Sequence, residues 1–286
     1  MRKLKLEVFK LKTLYITDLD GTFLNPRGEV SAKSRELINK MIDDGLLFTV
    51  ATARSRVSAN KILDSLNLNI PVILMNGVFI FDPAEEKYLS ANAISEEKAQ
   101  EVIKIFEKHS ETPFMFSFSN GNIDLEYTAL SNDAQQNFYE ERKNKYKKFQ
   151  KVSALSAKGK NIVYFANLVS YEKGKPLFDE ISNLSGVSAV FYEDTYYDCW
   201  YLEVFSDKSS KPGGMEFVKE YTGAERTVAF GDNLNDIAMM KAADYCCAVS
   251  NGRKEVRDIA DKTIGKNSED AVAKEIFNMF YGKQQY

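Results

Sequence analysis

The sequence holds one histidine and three cysteines in 286 residues, so the usual ligands of transition metals and partners of disulfides are scarce. Cys199, Cys246 and Cys247 are too few and too irregularly spaced for a disulfide framework or a zinc site. Cys246 and Cys247 fall in an apolar run, where buried free thiols are expected. The one histidine, His109, ends the predicted helix Glu96–Lys108, where a cation complements the helix dipole, and it reads as structural. A net charge of −3 creates no field that would gather nucleic acid or an anionic membrane. No apolar run approaches a membrane span; the longest lie near Val72–Met75 and Val78–Phe81. The basic start Met1-Arg2-Lys3-Leu4-Lys5 continues into Glu7, Lys10 and Lys12 instead of an apolar segment, which predicts no signal peptide and a cytoplasmic protein. Internal repeats and low-complexity segments are also missing.

What remains is ordinary globular material, 44% hydrophobic and 28% charged, at a length comfortable for two domains. The chain is organised around Leu14–Thr22. There a β-prone apolar run ends in Asp18 and Asp20, then Gly21 and Thr22. Strand alternation turns the two carboxylates to one side. Like charges held so close are costly unless a cation such as a metal ion lies between them. The plain alternative is a strand running into an acidic Asp-Gly turn.

Around this stretch the pattern is strand, helix, strand, helix, strand. Ser31 starts a helix closed by Gly45; Leu46–Ala51 is a strand; a second helix spans about 55–66; Val72–Met75 is a third strand, with Asn76-Gly77 turning into Val78–Phe81. That rhythm predicts a parallel sheet. After Asp82-Pro83 it changes to strands and helices in mixed order, including a polar helix over about 133–150 and strands at Pro113–Ser119, Ile162–Leu168, Ala189–Tyr192 and Trp200–Phe205. The aromatic set Phe191, Tyr192, Tyr196, Tyr197, Trp200, Tyr201 and Phe205 is expected to pack this middle sheet. After Ser206 the first rhythm returns, with strands Thr227–Phe230 and Tyr245–Val249. The expected organisation is an α/β core of residues 1–82 and 207–286, interrupted by an inserted α+β domain over 83–206.

Four short stretches fall at predicted carboxyl ends of strands or starts of helices, the edge where open α/β sheets bind ligands. They supply Asp18, Asp20 and Thr22; Thr52 and Arg54; the basic run Lys208–Lys211; and Asp232, Asn233, Asn235 and Asp236. Together they describe an acidic pocket ringed by hydroxyl and ammonium donors. Oxygen ligands without imidazole or thiolate favour a hard cation, and Mg²⁺ typically combines few protein ligands with phosphate oxygens. Taken singly, Thr52 is equally a strand-end residue, Lys211 a solvated lysine, and Asp232–Asp236 an acidic helix cap.

Asp18-Leu19-Asp20-Gly21-Thr22, Thr52 within Ala51-Thr52-Ala53-Arg54, Lys211, and Gly231-Asp232-Asn233-Leu234-Asn235-Asp236 resemble the four motifs of the haloacid dehalogenase-like phosphatases. Asn76-Gly77 and Asn267-Ser268-Glu269-Asp270-Ala271-Val272-Ala273 are similar to the Cof-type branch with a type IIB cap. Two positions depart from it: Ala53 and Pro212 stand where the family usually has glycine. The resemblance implies a Rossmann-like core with an inserted cap that sets specificity. It also implies a Mg²⁺-dependent phosphatase acting on a small phosphorylated metabolite, sugar phosphates foremost. In that reading Asp18 is the nucleophile and forms an aspartyl-phosphate, and Asp20 is the acid and base. Asp18, the Asp20 carbonyl and Asp232 hold the metal with Asp236 close by, and Thr52 and Lys211 hold phosphoryl oxygens. Asn235 orients that shell, while Gly21, Thr22, Arg54, Asn76 and Gly77 contribute to the phosphate and substrate side. Lys208 is the rival for the lysine role. Neither nucleic acid nor membrane is implied, and the chain is expected to be a monomer or weak homo-oligomer. A phosphotransferase or phosphomutase with the same nucleophile, or a silent metabolite-binding module, are the alternative functions.

Overall fold

The structure is a computed structural model describing residues 11–194 and 198–282, so Tyr196, Tyr197 and the basic residues 1–10 lie outside the described part. The chain divides into two compact units, one of Met1–Gly77, Phe81–Glu86 and Lys211–Tyr286, the other of Val78–Ile80 and Lys87–Ser210.

In the first unit, β1 (Thr13–Thr17), α1 (Ala32–Asp43), β2 (Leu47–Val50), α2 (Arg56–Leu63) and β3 (Val72–Leu74) follow one another. A turn at Met75–Gly77 then leads into the neighbouring strand β4 (Phe79–Asp82). Both helices begin on serine, as the sequence indicates. Ser31 Oγ accepts from the Ser34 amide at 2.9 Å, and Ser55 Oγ from the Ser58 amide at 3.3 Å.

The second unit runs β5 (Lys87–Ala91), α3 (Glu96–Lys108), β6 (Phe114–Ser119), β7 (Asn122–Tyr127), α4 (Asp133–Arg142), β8 (Lys148–Lys151), β9 (Ile162–Val169), α5 (Tyr171–Ile181), β10 (Val187–Asp194) and β11 (Cys199–Ser206). The chain then returns to the first unit with α6 (Lys211–Thr222), β12 (Arg226–Gly231), α7 (Ile237–Ala242), β13 (Tyr245–Val249), α8 (Lys254–Ile259), β14 (Lys262–Ile264) and α9 (Ala271–Tyr281).

The first unit is built on a parallel sheet in the order β14-β13-β12-β1-β2. Leu14, Ile16, Phe48, Val50, Ala229 and Phe230 are fully buried in it, as expected of strands covered on both faces. Register matters for the site. Thr17 lies opposite both Val50 of β2 and Phe230 of β12, so three strands end side by side where the order reverses. The expected third strand, β3, is not in this ladder. It touches it through one parallel bridge, Ala51 to Ile73, because it runs beside the extension of β2 and receives the Thr52 amide on the Ile73 carbonyl at 3.0 Å. β2 and β14 are the two edges of this ladder.

The second unit has a six-stranded sheet ordered β10-β11-β9-β6-β7-β8, antiparallel except for β7 with β8. The residues of α3 and α5 close an apolar cluster over it with Met115, Phe165, Leu202 and Val204. The polar helix expected over 133–150 stops at Arg142, and β8 replaces its second half. Phe149 is the reason: its ring packs 5.1–5.7 Å from those of Phe114, Tyr127 and Tyr139, and a continuing helix would withdraw it from them. Of the aromatic set, Phe191 lies 4.7 Å from Trp200 and Tyr192 stacks 5.7 Å from Tyr201. His109 ends α3 as expected, with Nε2 2.8 Å from Glu180.

Candidate active site

Everything begins at the end of β1. The Asp18 amide donates to the Phe230 carbonyl at 3.0 Å, which fixes Asp18 at the carboxyl edge of the sheet. The chain then winds through a tight turn, Leu19–Phe23, in which Gly21 has φ +78°. Two independent constraints demand glycine here: the left-handed backbone, and the Asp232 carboxylate, which would collide with any Cβ. The acidic loop after β12 is equally constrained, since a Cβ on Gly231 would come within 2.6 Å of the Asp236 Cβ.

Asp18, Lys211 and Asp236 are 6%, 2% and 0% exposed. Lys211, the first residue of α6, donates to Asp18 Oδ1 at 2.6 Å and to Asp236 Oδ1 at 2.7 Å. Lys208 makes no such contact among the described residues, so the geometry separates the two lysines. Asp236 spends its second oxygen on the amides of Asp232 and Asn233, at 3.0 and 3.1 Å. Thr22, also buried, donates to Asp232 Oδ1 at 2.7 Å; its hydroxyl orients a carboxylate.

Two carboxylates thus hold one ammonium, and a third, that of Asp232, lies close to them. Burial pushes the Asp18 carboxyl up to about 8 against the pull of Lys211, with Asp236 and Asp232 adding to the rise. Asp232 is raised to about 6, again by burial first, against the hydrogen bond from Thr22. Burial alone would lower the Lys211 ammonium, but Asp18 and Asp236 outweigh it and raise it. One oxygen each from Asp18, Asp232 and Asp236 can be chosen within 4.8 Å of one another. This is an all-oxygen set with surplus negative charge, which fits a hard divalent cation.

The remaining residues divide into those brought to the site and those turned elsewhere. The Asp20 side chain is half exposed and clamped by Arg54, whose Nε and Nη2 reach its oxygens at 2.7 and 2.6 Å. Thr52 is buried, with Oγ1 accepting from the Arg54 amide at 3.1 Å. Met75, Asn76 and Gly77 all have positive φ, an uncommon run, and Asn76 Oδ1 is buried without a hydrogen-bond partner. Asn235 is exposed and makes no side-chain hydrogen bond among the described residues; the ordering role falls to Asp236 and to Asn233, which begins the turn at Leu234–Asp236. Both family departures are accommodated. Ala53 is not at positive φ, and Pro212 lies in the first turn of α6, where its missing amide hydrogen is not needed.

Sequence reasoning missed a second layer. Asn251 donates to the Gly21 carbonyl at 2.8 Å and accepts from the Asn267 amide at 2.8 Å, and the Arg253 amide donates to the Asp232 carbonyl at 2.8 Å. A Cβ on Gly252 would come within 3.0 Å of the Asp232 backbone. The available signal was Ser250-Asn251-Gly252, turn chemistry directly after a buried strand, in the same place as the other motifs.

A parallel sheet carrying a buried acidic cluster and a lysine at the carboxyl ends of its central strands fits the haloacid dehalogenase-like class. The family model for haloacid dehalogenase-like hydrolases matches residues 15–276, and the chain belongs to that family. Among its curated relatives is the pyridoxal phosphate phosphatase YbhA of Escherichia coli, 26% identical, aligned over 91% of this chain and 96% of its own length. Another is the 5-amino-6-(5-phospho-D-ribitylamino)uracil phosphatase YitU of Bacillus subtilis, 23% identical over 93% and 98%. Among solved structures, a subclass IIB sugar phosphatase, BT4131, shares the fold with a TM-score of 0.71 at 20% identity, covering 94% of this chain and 98% of its own.

Proposed function

We propose that the protein is a Mg²⁺-dependent phosphatase, cytoplasmic, that hydrolyses the phosphate monoester of a small metabolite through a phosphorylated Asp18. The observation that carries this reading is the buried Asp18–Lys211–Asp236 triad, because an acid and a lysine are placed at a strand end at evident electrostatic cost. A structural ion pair would not need a third carboxylate within reach of the same point.

Asp18, Asp232 and the Asp20 carbonyl would hold Mg²⁺, which when bound supplies positive charge against the phosphate and the carboxylates. Lys211 holds Asp18 by Oδ1, which leaves Oδ2 to attack phosphorus. As that bond forms, the bond to the ester oxygen breaks, and Asp20 gives its proton to the leaving alcohol. Asp20 then takes a proton from the water that attacks phosphorus, releasing phosphate and restoring Asp18. The Thr52 and Lys211 donors balance charge on the phosphoryl oxygens. Asp236 acts at one remove, holding Lys211 and the backbone of the 232–233 loop. Thr22 likewise acts through Asp232. Arg54 positions Asp20, and substrate binding must draw the two apart before Asp20 can reach the leaving oxygen.

The names of the relatives support the substrate class: pyridoxal phosphate and a phosphoribityl compound both carry phosphate on a primary carbon of a small hydroxylated molecule. Sugar phosphates with the same feature are the leading candidates. The test is Mg²⁺-dependent phosphate release from a chromogenic ester and a panel of such metabolites. Asp18→Asn should lower turnover by roughly a thousandfold or more; a near-native rate would remove the nucleophile assignment. Competing alcohols in the same assay separate hydrolysis from phosphoryl transfer.

A further inference from the structure

The second unit contains a recess of about 1000 Å³ that the chemistry above does not use. We propose that it is a binding site for a neutral polyhydroxylated molecule, of the sugar or sugar-alcohol class.

The recess exists because one face of the sheet is only partly covered. The apolar cluster under α3 and α5 draws on β6, β9, β10 and β11, and among its described members none comes from β7 or β8. At the uncovered end, register sets two rows across the strands. One is Ser117, Asp124 and Lys148; the other is Met115, Glu126 and Gln150. Where a helix-covered strand would carry apolar side chains, β7 presents two carboxylates two residues apart, on the same face.

Those carboxylates are not simply solvated. The Glu126 side chain is 11% exposed and meets Lys160 Nζ at 2.5 Å; that of Asp124 is 17% exposed, with Lys148 Nζ at 3.6 Å. Asp124 Oδ1 is screened from solvent and has no hydrogen-bond partner. A buried acceptor without a donor costs free energy that a ligand hydroxyl would recover.

Charge selects the ligand class. Lys148, Lys160 and Lys208 face Glu96, Asp124, Glu126 and Asp207 around the recess, so the signs nearly cancel and neither an anion nor a metal cation is favoured. Donors and acceptors alternate instead, with the Ser117 hydroxyl, the Gln150 amide and the lysines beside the two carboxylates. A hydroxyl both donates and accepts, and several on one carbon chain satisfy such a surface. The volume is at the upper end of small-molecule pockets, about 300–1,000 Å³.

The experiment uses the full chain, with ribitol and glucose as probes, read by saturation-transfer NMR and calorimetric titration. Because binding is measured without turnover, its failure and that of the proposed hydrolysis are separately visible. The native protein should bind at least one probe. Asp124→Ala should weaken that binding about tenfold or more, and Ser117→Phe, which fills the recess, should abolish it. Both variants should retain native turnover of the chromogenic ester and a native melting temperature. Should Asp124→Ala melt early, Asp124→Asn keeps the side-chain shape and tests the same acceptor. No transfer to either probe, or unchanged affinity in the position-124 and position-117 variants, overturns the proposal.

Discussion

In the first unit, Asp18, Lys211 and Asp236 put charge into the interior at a strand end, whereas the interior of the second unit is assembled from rings and aliphatic chains such as Phe106, Phe165, Leu202 and Val204. The second unit also buries carboxylates, Glu111, Glu126 and Glu203, but the lysines that pair with them keep contact with solvent, as Lys160 does beside Glu126 and Lys173 beside Glu111. The contrast is one of tolerance. An apolar cluster accepts many volume-conserving solutions, while a lysine between two buried carboxylates accepts almost none. Specific chemistry is therefore written in the first unit with few permitted spellings, and packing is written in the second with many.

Substitutions in the two units sharpen this difference. Lys211→Met keeps the volume but strands Asp18 and Asp236 without a cation. It should cost about 4 kcal/mol of stability and abolish phosphate release, as read by thermal melting and the ester assay. Phe165→Ala, at the centre of the second unit's cluster, should cost about 3 kcal/mol in calorimetry while leaving Asp18 and its partners in place. A destabilised second unit with intact Mg²⁺ binding would fit the contrast; equal losses of metal binding in both variants would break it.

A smaller effect is expected from pH. The carboxyls of Asp18 and Asp232 are raised, to about 8 and about 6, so the native ion-free protein keeps protons that the unfolded chain has lost. That contribution is complete below their ordinary range near 3.8 and disappears as pH rises through the raised values. The melting temperature of the ion-free protein should fall between about pH 5 and about pH 8. Millimolar Mg²⁺ should flatten the slope, and a slope unchanged by Mg²⁺ would argue against metal at these carboxylates.

The same contrast explains what could be read in advance. Asp18, Lys211 and Asp232, which the structure gathers at one edge of the sheet, stood out in the sequence because each ends a hydrophobic strand or opens a helix. The parallel sheet was legible from strand and helix alternation, and Ser31 marked a helix start correctly. What was hidden is long-range. Nothing local says that Arg54 reaches back across the fold to Asp20, that Thr22 serves Asp232, or that Asn251 holds the Gly21 carbonyl. In the second unit, Asn122–Tyr127 alternates polar and apolar residues as a strand does, whereas Lys148–Lys151 carries the polar pattern of a helix face and becomes a strand through pairing with β7 and packing of Phe149.

The central claim, that Asp18 is the nucleophile, is tested most directly by acid-quenching the native protein during turnover of a chromogenic phosphate ester with Mg²⁺ and locating any phosphoryl group by peptide mass spectrometry. The account predicts a single adduct on the peptide containing Asp18, removed by hydroxylamine and missing in Asp18→Asn. Turnover with no adduct in native protein or in slowed Asp20→Asn, or an adduct on another residue, would contradict it.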